Sequence, residues 1–158
     1  MKKLLLSAIV ALGFTTVSFG DDFTGSASAT LQSSITLVES SALNFGKFSI
    51  PTTESTVSMT EAGVTDVESG DIVILAGSPQ IGLFTVSADK DTPINVSVDA
   101  TISLTGGDGL SISTTGSIMP TTTDAAGKAL IKVFGLLTVP TGATSGEKTG
   151  TYTVTVNY

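Results

Sequence analysis

Residues 150–158, Gly-Thr-Tyr-Thr-Val-Thr-Val-Asn-Tyr, alternate without a fault. Tyr152, Val154, Val156 and Tyr158 fall on one face, and Thr151, Thr153, Thr155 and Asn157 on the other. Period-two alternation of β-branched and aromatic residues is the pattern of a half-buried strand. It excludes a helix, whose apolar positions recur every three to four residues. The chain stops on an aromatic residue assigned to the buried side, so this last strand is expected to leave one edge open.

The same alternation recurs along the chain every 8 to 14 residues, punctuated by turn residues. Phe23, Gly25, Ala27, Ala29 and Leu31 share a face and predict a thin first strand continuing to Ile35 and Leu37. Gly46, between Phe45 and Phe48, predicts a bend. Residues 53–60 alternate weakly and read as an edge strand, and 61–71 as an exposed acidic loop. Residues 71–76 form a continuous apolar run, predicting a strand buried on both sides. Phe84 and Val86 point inward, and residues 94–98 alternate cleanly. Residues 101–104 and 110–112 flank a Gly-rich turn and predict a hairpin. Residues 119–127 read as loop and 129–139 as the longest strand. The expected architecture is all-β, a single immunoglobulin-like sandwich.

Lys2 and Lys3 precede an apolar run, Leu4 to Phe14, and small residues stand at Ser18 and Gly20. That pattern predicts a secretory leader over residues 1–20, cleaved before Asp21. The apolar run is shorter than the roughly 20 residues a membrane span requires. The expected organisation is therefore leader 1–20, N-terminal segment 21–31 and β-sandwich 32–158, exported to the periplasm and then to the cell surface or beyond it.

Without the leader, 14 acidic residues stand against five lysines, a net charge of −9, with no Arg and no His. Such a chain cannot grip a phosphate backbone, so no nucleic-acid partner is expected. The absence of Cys leaves packing and strand hydrogen bonds to hold the fold. Without His or Cys, the common general base, thiol nucleophile and zinc ligands are missing. No catalytic residue, metal, cofactor or small-molecule substrate is expected. The carboxylates at Glu61, Asp66, Glu68 and Asp71, and at Asp89 and Asp91, lack calcium-loop spacing and read as solvated loops. Asn95-Val96-Ser97 fits a glycosylation sequon but falls on a strand.

The two ends form the informative pair. An extended segment with alternate apolar side chains can add to an open sheet edge. When it comes from another copy, the contact is head-to-tail and grows a filament. Folding back into its own domain is the other outcome.

The order of motifs resembles the archaic chaperone–usher pilin and spore-coat-U group, with its related secreted bacterial β-sandwich domains. The features are the Phe23-Gly25-Ala27-Ala29-Leu31 series, Leu43-Asn44-Phe45-Gly46-Lys47, Val133-Phe134-Gly135, and the closing Tyr152-Val154-Val156-Tyr158 strand. The resemblance implies an incomplete sandwich completed by a donated strand. Phe23, Gly25, Ala27, Ala29 and Leu31 would then be donor residues, and Tyr152, Val154, Val156 and Tyr158 would border the acceptor groove. It further implies identical or related subunits as partners, with a periplasmic chaperone and an outer-membrane usher. That group commonly carries cysteines, and this chain has none. The alternative reading is a self-complemented surface module for binding or adhesion.

Overall fold

The computed structural model describes residues 26–106 and 108–158. The predicted leader, Phe23 and Gly25 lie outside these residues. The chain divides into two units, residues 1–31 and 32–158. Of the first, residues 26–31 carry no strand and are exposed, Leu31 being 90% exposed. Among the described residues, 26–35 form no part of the predicted strand. Ser, Ala and Thr side chains bury too little apolar surface to offset the entropy of ordering an extended chain.

The second unit is all-β among the described residues, with three antiparallel sheets. The first is ordered β1 (Thr36–Ser41), β4 (Gly82–Ser87), β8 (Lys128–Val133). The second pairs β10 (Val154–Asn157) with β5 (Asn95–Val98). The third runs β3 (Thr65–Ser69), β2 (Ser55–Met59), β9 (Leu136–Val139), β7 (Ser111–Ser113), β6 (Thr101–Ser103). Together they make the β-sandwich the alternation called for.

Period-two faces build two cores. Ala129, Ile131 and Val133 of β8 and Val86 of β4 pack with Ile94, Val96, Val98, Val154 and Val156. Val57, Met59, Ile102, Ile112, Leu137 and Val139 form the second core with Phe45, Ile72 and Leu110. Ile131, Val133, Val86 and Val57 are fully buried, and each such side chain contributes roughly 1.5–3 kcal/mol. Leu43 and Tyr152 pack against both cores and join them.

Four expectations are corrected. The longest predicted strand is two strands in two sheets, broken at Phe134–Gly135; the same alternate positions are buried in both, Ala129, Ile131 and Val133 in one core and Leu137 and Val139 in the other. Residues 55–59 are central rather than an edge, lying between β3 and β9. Part of the acidic loop is itself β3, an edge strand with exposed Asp66 and Glu68. The 71–76 run is not buried on both sides. Ile72 is buried, but Val73, Ile74 and Leu75 are exposed; among the described residues, the backbone hydrogen bonds of 73–75 run on one side, to residues 47–49.

Gly135 sits where the chain changes sheets. A Cβ there would lie well inside contact distance of the Ser113 carbonyl oxygen, a backbone atom with little room to move. Gly135→Ala is expected to cost about 1–3 kcal/mol or more, the range of overpacked cores. Urea unfolding measures it, and a loss below about 1 kcal/mol would contradict this account of the crossing.

Candidate functional site

Two extended ribbons frame one side of the sandwich. The first comprises β1 and its continuation to Pro51. It is paired through β1 to β4, then through Asn44 with Gln80 (N–H to O 2.8 Å and 2.7 Å in the two directions). Further on, the Ser49 N–H donates to the Val73 carbonyl at 2.9 Å, and the Leu75 N–H to the Lys47 carbonyl at 2.8 Å. Gly46 turns this ribbon with φ +93°, and its N–H donates to the Asn44 side chain at 2.8 Å. Such a φ suits glycine.

The second ribbon covers residues 144–157. The Thr105 N–H donates to the Thr149 carbonyl at 2.6 Å, the Asp99 N–H donates to the Thr153 carbonyl at 3.1 Å, and β10 then pairs with β5. Each ribbon is thus hydrogen-bonded along its outer edge. Among the described residues, no backbone hydrogen bond joins one ribbon to the other.

Between them lies a groove of about 900 Å³. Residues 42–51 form one wall, and residues 143–150 with Tyr152 the other. The floor is apolar: Ile102, Leu104, Leu110, Ile112, Leu137 and Val139. Two parallel backbone edges over an aliphatic floor can take up an extended segment, giving it main-chain partners on both sides and burying every second side chain.

The second wall is held outward by a polar cluster. Lys148 forms a salt bridge to Asp108, with both side chains largely buried. Asp108 also accepts from the Thr144 N–H at 3.1 Å and from its hydroxyl at 2.8 Å. Hydrogen bonds from Lys148 and Thr144 hold the Asp108 carboxyl down to about 2.

The predicted edge residues fall in three places. Tyr152 lines the groove. Val154 and Val156 pack into the core shared with β4 and β8 instead. Tyr158, 39% exposed, donates its hydroxyl to the Ser33 carbonyl. The predicted donor positions Ala27, Ala29 and Leu31 are exposed, outside any strand. Sequence reasoning missed the wall at 143–150 and the floor residues of β6, β7 and β9. The Leu43–Lys47 motif was visible, but its place as the first wall was not.

The Tyr152 ring meets Phe84 edge-on, with centroids 6.0 Å apart. Its hydroxyl is buried over Gly82 without a hydrogen-bond partner among the described residues. Burial, with the Glu39 charge second, pushes its pKa up to about 12.

Residues 35–158 match the family model described as a domain of unknown function, DUF4402. The chain belongs to the DUF4402 family. The match opens at Ile35, beside the first strand, so in this DUF4402 chain residues 1–34 precede the matched domain. No curated protein and no solved structure matches the chain.

Two predictions follow from this geometry of the DUF4402 domain. Tyr152→Phe removes a buried hydroxyl that lacks a partner, so it should stabilise the fold by about 1 kcal/mol. A loss of that size in urea unfolding would mean that the hydroxyl is satisfied. Asp108 has a lowered folded pKa, so its contribution is present above the ordinary value of 3.8 and is lost as pH falls through about 2. Asp108→Asn should therefore lower stability at neutral pH and flatten, without abolishing, the decline below pH 4. Asp71 and Asp89, also lowered by hydrogen bonds from neighbouring residues, keep part of that slope.

Proposed function

We propose that this protein is a structural subunit of a bacterial surface fibre, pilin-like, which polymerises by lending residues 23–31 to the groove of a neighbouring copy. The observation that carries the reading is the groove itself: two ribbons paired only along their outer edges, above an aliphatic floor. A strand laid between the ribbons can hydrogen-bond to the inner edge of each, as strands added to a sheet edge do. The apolar series Phe23, Gly25, Ala27, Ala29 and Leu31 offers such a strand.

The length of the chain favours a neighbour's segment over the molecule's own. Ser33 is tied down by Asp89, its N–H at 2.9 Å and its hydroxyl at 2.6 Å from the carboxylate, and by the Tyr158 hydroxyl. From there, β1 leads away to the groove, whose near end is Ala42 and Leu43. Residues 33 to 43 span about 33 Å when extended, and so do residues 33 back to 23. A segment folding back from Ser33 would bring only Phe23 to the groove mouth. A second copy has no such limit, and donation between copies is head-to-tail, as a filament requires. This weighs against the self-complemented module.

Export, display at the cell surface, and handling by a chaperone and usher belong to the same reading and rest on the leader pattern and the motif resemblance. The test is light scattering and electron microscopy of residues 21–158 beside residues 32–158. The longer chain should form ladders or fibres that survive mild detergent, and the shorter one should remain monomeric. A monodisperse monomer from residues 21–158, equal in stability to the truncated chain, would overturn the proposal.

A further inference from the structure

The groove and the chain's own N-terminal segment differ in size. The floor presents the large aliphatic side chains of Ile102, Ile112, Leu137 and Val139, joined by Leu110. On the apolar face of residues 23–31, the three central positions are Gly25, Ala27 and Ala29. Alternate side chains of an inserted strand reach the floor, and those three offer at most one carbon each. Each further carbon buried there improves affinity up to about fourfold. Interiors also favour filled over open contacts.

Resting on the strand-uptake reading, we infer that the tightest occupant of this groove is not the chain's own segment. It is an extended strand of another protein, with Val, Ile or Leu at successive alternate positions. The reach of the chain outside the sandwich keeps a molecule's own segment from filling its groove. The small central side chains leave a neighbouring copy's segment able to hold a joint but less tightly bound than a bulkier strand would be. A bulkier strand displaces it, so the groove selects a mixed joint over a joint between identical copies.

Fluorescence anisotropy of labelled peptides titrated with the 21–158 chain tests this. One peptide carries the natural residues 21–31, a second carries A27V and A29V, and a third carries S26V and S28V, which place the same two valines on the outward face. The A27V/A29V peptide should bind at least about 30-fold tighter than the natural one, below the ceiling of roughly 250-fold that four added carbons allow. The S26V/S28V peptide should gain less than about threefold. Equal affinity of the natural and A27V/A29V peptides, or an equal gain from the outward valines, overturns this inference and leaves strand uptake standing. Failure of all three to bind removes strand uptake, and this inference with it.

Discussion

The obligation of backbone N–H and C=O groups to find partners governs this molecule more than any single side-chain contact. It is met along most of the sandwich by antiparallel ladders. It is met on one edge only for the ribbons 36–51 and 144–157. Between β1 and β10, side chains compensate: Val154 and Val156 pack down onto the core of β4 and β8, and Tyr158 reaches Ser33. Toward residues 42–51 nothing similar happens, because Asp108, Lys148 and Thr144 draw the second ribbon outward. The Thr105 N–H, just beyond β6, ties that ribbon at the Thr149 carbonyl. The groove is therefore a consequence of where the C-terminal ribbon is anchored. A buried ion pair is weak evidence for stability, and here its clearer effect is on position.

Leu43 and Tyr152 stand where the closed half becomes the open half, touching both cores. This joint sets how far the groove extends. Gly82 leaves room for the Tyr152 hydroxyl, and no polar partner is supplied for it. The side chain is held by its ring, against Phe84, and not by its polar end.

Much of the fold was legible in period-two patterns. Alternation in residues 152–156 matches the half-buried and exposed sequence of β10, and the 101–112 hairpin is β6 and β7. The failures have one cause: alternation reports burial of faces, not which sheet buries them. In residues 129–139 the inward set Ala129, Ile131, Val133 serves one core and Leu137, Val139 the other. Local sequence marks that switch only by Gly135. Residues 71–76 mislead for a related reason. A continuous apolar run implies two covered faces, yet Val73, Ile74 and Leu75 are exposed. Of the candidate site, Tyr152 and the Leu43–Lys47 motif were readable. The wall at 143–150 was not, since Thr, Ser, Gly and Lys there look like any surface loop until Asp108 gathers them.

Charge explains why an open groove need not make the protein indiscriminately adhesive. An acidic chain, net −7 over its full sequence, repels its own kind at long range, and the free edge of β3 displays Asp66 and Glu68, a usual way of discouraging edge pairing. The groove floor has no charge at all. A strand with ionised side chains on its inward face would have to leave them there without partners, at a cost of several kcal/mol. Residues 23–31 contain no charged residue, and Asp21 and Asp22 lie outside the run. Under the proposed reading, electrostatics screens out unsuitable strands before packing is tested, and packing against Ile102, Ile112 and Leu137 then ranks those that remain. Long-range repulsion sets how often two copies meet, and short-range filling of the floor sets how long they stay together. A subunit can thus be soluble alone and still bind firmly once a suitable strand is in place.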